Sequence, residues 1–107
     1  MTHAEVVAWL EARRPAPPPA LRARLALAVD EADLSLPDHL ARLGDRVLSR
    51  VVRRPEGGRE LALDLLAADA FVTYAFEAQA EADASGLAAL AERVGRAGET
   101  ADRKAGA

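Results

Sequence analysis

Apolar residues recur along the chain with the 3.6-residue period of amphipathic helices, most clearly in residues 60–83. This segment contains neither Pro nor Gly and consists largely of Ala, Leu and Glu, which, like its one Gln, have high helix propensity. On a helical wheel it has two apolar faces, so either the chain covers both or one of them meets another molecule. The first face contains Leu61, Leu65, Ala68, Val72 and Phe76. The second contains Leu63, Ala67, Ala70, Phe71, Tyr74 and Ala78.

Caps and helix breakers predict the other elements. Thr2 and Ser35 each precede an acidic residue by three positions, the spacing of a capping box, and they begin predicted helices at residues 2–14 and 35–54. A proline-rich connector over residues 14–20 leads into a helix at residues 19–33. Residues 55–58, of sequence PEGG, predict the turn before the long helix. After a break at Ser85 and Gly86, residues 87–94 predict a short final helix.

These elements predict an all-α fold, a small antiparallel bundle of four main helices plus a short C-terminal helix. Residues 1–94 form a single domain in this interpretation, as expected for a chain of 107 residues. Residues 95–107 are polar and contain Gly, so we expect them to be a disordered tail.

Composition narrows the class of protein. Half of the residues are apolar but only 4% are aromatic, so the core is expected to consist of Ala, Leu and Val. The net charge of −3 argues against a generally basic nucleic-acid binder, and the lack of Cys excludes disulfides and thiolate metal sites. No apolar run reaches the roughly 20 residues of a membrane span. The first residues lack a signal-peptide pattern, so we expect a cytoplasmic protein. The single Lys beside many Arg, together with abundant Ala, is typical of a GC-rich bacterial genome.

Five arginines on the third predicted helix are the most suggestive polar feature. Guanidinium groups on one helix face can bind phosphates, the contacts that dominate nucleic-acid affinity. The alternative is a solvated face that pairs with neighbouring carboxylates, and exposed pairs of this kind contribute little stability. In an antiparallel hairpin, Arg50 falls near Asp64 and Arg46 near Asp69. The five are Arg42, Arg46, Arg50, Arg53 and Arg54.

The same segment carries a resemblance to a known family. Residues 41–44, ARLG, and 48–52, LSRVV, resemble parts of the helix-turn-helix of bacterial repressors of the lactose-repressor type. The resemblance covers about a dozen positions, and fewer residues separate its two pieces than in the family. It implies a turn near Gly44, with Ser49, Arg50 and Arg53 contacting bases or phosphates.

His39 is the candidate for acid–base chemistry. The antiparallel arrangement places it near Glu77, and Asp38 adjoins it, so a His–carboxylate pair is one interpretation. The other is a histidine with an ordinary structural role. The chain has no Glu-x-x-His motif of di-iron bundles and no Gly-rich phosphate loop, so we expect neither a cofactor nor a metal.

The function favoured by these observations is a non-catalytic helical interaction module that binds a protein partner or itself, as a homo-oligomer. Aromatic residues contribute strongly to interfaces, so the predicted interface residues are Phe71, Tyr74 and Phe76. The alternative is a nucleic-acid-binding module. Its predicted contacts are Arg42, Arg46, Ser49, Arg50 and Arg53.

Overall fold

The computed structural model describes residues 1–54 and 57–106, with side chains for residues 1–54 and 57–97. All regular structure in these residues is helical, which confirms the predicted all-α fold. The helices are α1 His3–Glu11, α2 Pro19–Ala28, α3 Leu36–Val52, α4 Arg59–Asp83 and α5 Leu87–Gly106, with a 3₁₀ turn at Ala84–Gly86. None of the described helices has the length and hydropathy needed to cross a membrane.

Helices α3 and α4 form an antiparallel hairpin at the centre of the molecule. The register is given by two contacts, because Arg54 binds Asp64 near the turn and the backbone at Gly44 lies against Val72 further along. The α3 face that packs on α4 is aliphatic, and Phe71 of α4 is fully buried against it. The largest α3 residues in this core are Leu40, Leu43 and Val47.

The two apolar faces of α4 are covered to different extents. The second face is covered more fully by the rest of the chain, with Ala67, Phe71 and Ala78 inaccessible or nearly so and Leu63, Ala70 and Tyr74 partly buried. The first face is only partly covered, because Ala68 is buried but the side chain of Leu65 remains 46% exposed. One apolar face of the central helix is therefore incompletely covered in the N-terminal part of α4.

Helix α1 is attached to the second half of α4 by its aromatic and basic residues. Its N-terminus is capped as predicted, since the Thr2 hydroxyl accepts the Glu5 amide at 3.1 Å. The rings of Trp9 and Tyr74 meet edge to face with 5.9 Å between centroids. Arg13 lies over the Trp9 ring and donates to the α4 carboxylates Glu77 and Glu81.

Helix α2 ends five residues earlier than the predicted residue 33. Val29 is extended, and the following acidic residues belong to the connection to α3. This early end has a structural consequence, because it lets Asp30 turn back and bind side chains of α3. Helix α2 itself is held on the hairpin by Leu25 and by Arg24, which pairs with the mostly buried Asp64 at 3.3 Å.

Helix α5 is longer than the predicted short helix of residues 87–94. Asp83 is extended and breaks the helical path, its carboxylate capping Ser85, and α5 then continues from Leu87 to Gly106. Leu90 anchors α5 in the core, and Arg93 donates to Asp38 of α3 at 2.7 Å. The side chains from residue 98 onward lie outside the described residues, so the predicted disordered tail stays a prediction.

Candidate functional site

A groove of about 710 Å³ lies where α3, α4 and α5 meet, on the incompletely covered face of α4. It is open to solvent, and most of its lining is apolar. The apolar residues come from the three helices and from the segment before α3. They are Leu34, Ala41, Gly44, Leu48, Leu65, Ala68, Val72, Val94 and Ala97.

The floor of the groove is made by small residues, where the α3 and α4 backbones approach closely. A Cβ atom added at Gly44 would lie 2.9 Å from Val72 Cγ2 and 3.2 Å from the Ala68 carbonyl oxygen. Such a separation leaves no space for a side chain, so Gly44 permits the contact rather than breaking the helix. Leu48 of α3 and Leu65 of α4 contribute larger aliphatic side chains to the lining.

Helix α5 forms the third wall and fixes one end of the groove. Val94 and Ala97 present its apolar side, one turn apart. The end is held by the ion pair in which Arg93 donates from Nε and Nη2 to one oxygen of Asp38. Both members of that pair are about two-fifths exposed, so the pair positions α5 more than it stabilises the fold.

The unpaired charges of the groove are both negative. Of its five charged residues, Asp38 and Arg93 bind each other, and Arg42 binds Asp30 outside the groove at 2.5 Å. Asp45 on α3 and Asp69 on α4 make no ion pair or side-chain hydrogen bond within the described part of the chain. The result is an apolar channel that has, among the described residues, one carboxylate without a counterion on α3 and one on α4.

Beside the groove, the carboxylate of Asp30 contacts three side chains of α3. Its Oδ1 lies 2.7 Å from Nε2 of the fully buried His39, and its Oδ2 accepts from Arg42 and Arg46. Burial alone would raise the pKa of Asp30, but the His39 hydrogen bond and the two guanidinium charges outweigh it and lower that pKa. The cluster fastens the α2–α3 connection to α3.

The predicted partners of His39 are engaged elsewhere. Glu77 binds Arg13, which follows α1, and Asp38 binds Arg93 of α5, so neither carboxylate is paired with His39. Its Nδ1 is buried without a hydrogen-bond partner, and its ring is closed off from solvent. Among the described residues, no group of three or more His, Cys, Asp or Glu side chains is arranged to hold a metal ion.

The structure overturns the turn implied by the repressor resemblance. Helix α3 runs unbroken from Leu36 to Val52, with Gly44 inside it, so residues 41–52 do not form two helices. The positive charge of the five arginines is also partly neutralised, since Arg42 and Arg46 share Asp30 and Arg54 binds Asp64. Arg46 therefore pairs with Asp30 instead of Asp69, and Asp64 pairs with Arg24 and Arg54 instead of Arg50.

The remaining predicted contacts stay on the exposed side of α3. Arg50 is exposed and has no ion-pair partner within the described residues, and the Arg53 side chain bonds back to the Ser49 carbonyl. Their role in binding phosphates stays a prediction.

The three predicted interface aromatics occupy different environments. Phe71 is fully buried in the chain's own core. Tyr74 is half-buried against Trp9, and Phe76 is half-buried beside the core. The exposed apolar surface of α4 is instead aliphatic. Leu65, Ala68 and Val72, which line the groove, all belong to the first apolar face predicted from the sequence.

Comparison of the chain with protein-family models, with curated proteins and with solved structures found no match. The candidate function therefore rests on the geometry of the chain itself.

Proposed function

We propose that this protein is a non-catalytic interaction module that binds a helix of a protein partner in the groove between α3, α4 and α5. The observation that carries the proposal is the open apolar groove on the first face of α4, with Leu65 about half exposed at its wall. Exposed apolar surface that is contiguous and rimmed by polar residues is typical of binding sites.

The dimensions of the groove favour a helix as the bound element. On α3 the apolar lining residues run from Ala41 to Leu48, and on α4 they run from Leu65 to Val72. Seven residues of helix rise by about 10 Å, so each wall is about two turns long. A partner helix of that length presents apolar side chains at positions i, i+3, i+4 and i+7, the pattern of helix-in-groove recognition.

A second copy of the chain is one partner of this kind, which would make the protein a homo-oligomer. The alternative function is nucleic-acid binding through the exposed side of α3. Arg50 and Arg53 support it, because neither has a carboxylate partner within the described residues. We place it second, since Asp30 compensates Arg42 and Arg46. Its test is binding to duplex DNA and to RNA at low salt, which should weaken steeply as salt is raised.

The proposal can be tested with a phage-displayed library of helical peptides that share an apolar stripe and vary in their flanking residues. The purified protein is the immobilised target. We expect selected peptides to bind the wild-type protein and to lose at least about tenfold in affinity for Leu65→Lys, which places a charge on the groove wall.

The matched control is Leu66→Lys. Leu66 is the next residue on α4 and is exposed to a similar degree, 53% against 46%, but it does not line the groove. Its substitution should leave peptide binding unchanged. If no peptide is enriched, or if the two substitutions weaken binding equally, the groove is not a binding site for helices and the proposal fails.

A further inference from the structure

We infer that the helix bound in the groove is a basic amphipathic helix of another protein. The inference rests on the proposed function and adds the chemistry of the partner. Its basis is the charge on the groove walls, where Asp45 and Asp69 are the two charges without a counterion among the described residues. The groove's two basic residues are both engaged, Arg42 with Asp30 and Arg93 with Asp38.

A docked helix would reduce the access of water to these carboxylates. A carboxylate that loses water without gaining a partner is destabilised, whereas one that meets Lys or Arg keeps its charge compensated. Because Asp45 lies on α3 and Asp69 on α4, the groove has a carboxylate on each side of its apolar floor. The complementary ligand is a helix with an apolar stripe bordered on both sides by basic residues.

The same charges argue against a second copy as the occupant. In a two-fold symmetric dimer the same patch faces itself, so a groove-to-groove contact would bring four uncompensated carboxylates together. The whole chain also has a net charge of −3, so its copies repel one another weakly. A basic partner is attracted both by the groove carboxylates and by the net negative charge of the chain.

The test uses two synthetic helical peptides of about 16 residues, long enough to retain helicity. Both carry the same leucine stripe, and they differ only in having Lys or Glu at the flanking positions. Their dissociation constants for the full chain are measured by fluorescence anisotropy at low and at physiological salt. We expect the Lys peptide to bind at least about tenfold more tightly at low salt, with the ratio shrinking as salt is raised.

Variants of the two groove carboxylates test whether the preference for the Lys peptide arises in the groove. Asp45→Asn and Asp69→Asn should each weaken the Lys peptide by about two- to fivefold and leave the Glu peptide unaffected or strengthened. The control is Glu11→Gln, which removes the same unit of charge from α1, away from the groove, and should change neither constant. Circular dichroism confirms that each variant is folded.

The outcomes separate the inference from the proposed function. Equal or tighter binding of the Glu peptide, still abolished by Leu65→Lys, overturns the basic partner and keeps the helix-binding groove. An equal effect of Glu11→Gln assigns the preference to net charge and also overturns it. Assembly of the free chain that Leu65→Lys dissociates identifies a second copy as the occupant. Failure of both peptides to bind, with no assembly, removes the inference and the proposed function together.

Discussion

At the residue scale, Asp30 shows how one side chain organises its surroundings. It lies between α2 and α3 and binds His39, Arg42 and Arg46, which occupy successive turns of α3. The spacing of those three residues, with intervals of three and four positions, places them along one side of the helix. An acidic residue in a connection thereby fixes where the connection lies and partly neutralises the basic side of α3.

Asp30 gives a prediction about stability and pH. Asp30→Asn removes the carboxylate that compensates two arginines and contacts the buried His39 ring, and should lower the free energy of unfolding at neutral pH by about 1–3 kcal/mol. Because the folded-state pKa of Asp30 lies below its ordinary 3.8, its contribution is present above that value and is lost as the pH falls through the folded-state pKa. Urea unfolding of both proteins should show a gap that is constant above about pH 5 and closes below about pH 4.

The control for this prediction is Asp33→Asn, an exposed carboxylate nearby that makes no ion pair within the described residues. It should change stability by less than about 0.5 kcal/mol at either pH. A gap for Asp30→Asn that persists unchanged at pH 3 would assign the loss to packing instead of charge.

Gly44 gives a second prediction at the residue scale. Gly44→Ala improves helix propensity by about 1 kcal/mol, but its Cβ would lie within 3.3 Å of three atoms of α4. Overpacking at such a contact costs about 1–3 kcal/mol, so we expect a net loss of up to about 2 kcal/mol. Thermal unfolding of the wild type and of Gly44→Ala measures this loss of stability.

Gly95→Ala is the matched comparison for Gly44→Ala. Gly95 also lies inside a helix, but an added Cβ would meet nothing within 4 Å. This variant should be more stable than the wild type by about 0.5–1 kcal/mol. Stabilisation by both substitutions would contradict the close approach of α3 and α4.

At the element scale, the helices differ in how they are attached. Helices α3 and α4 share the main core, whereas α1 depends on Val6, Leu10 and the contacts of Trp9 and Arg13 with α4. Elements with few buried contacts open locally at lower free energy than the core. Helix α1 is therefore expected to exchange its amide hydrogens before the central hairpin does.

Trp9→Ala tests this attachment. It removes the edge-to-face contact with Tyr74 and the ring beneath Arg13, and should cost about 2–3 kcal/mol, less than a fully buried Trp. Hydrogen exchange should rise in α1 while protection in α3 and α4 persists. Trp9→Phe keeps an aromatic contact and should lose less. Uniform loss of protection across all helices would show that α1 is part of one cooperative unit with the hairpin.

At the scale of the whole molecule, the groove contains apolar surface of α4 that the chain leaves open to solvent. The chain itself buries Ala67, Phe71 and Ala78 of the second apolar face of α4, so burial of these residues does not require another subunit. With a basic partner absent, we expect light scattering on a size-exclusion column to give the monomer mass of 11.3 kDa at micromolar concentration. A larger mass that Leu65→Lys reduces, and Leu66→Lys does not, would give the groove a second copy of the chain as its occupant.

The pattern of residues predicts the helices well and their lateral contacts poorly. Caps such as Thr2, breakers such as Gly58 and the 3.6-residue period act within a few residues, so the helices, their order and the α3–α4 hairpin can be read locally. The end of α2 is harder to place, because its last residues are compatible with a helix and leave it only when Asp30 finds partners on α3.

Local sequence patterns are enough to establish the all-α class, the central position of α4 and its two apolar faces. Which face stays open follows from contacts between distant segments, because it depends on where α5 crosses α3 and how closely Gly44 lets α3 approach α4. The tertiary structure likewise decided that Phe71 belongs to the core and Leu65 to the groove. Both lie on apolar faces of the same helix, and periodicity does not distinguish a face covered by the chain from one left for a partner.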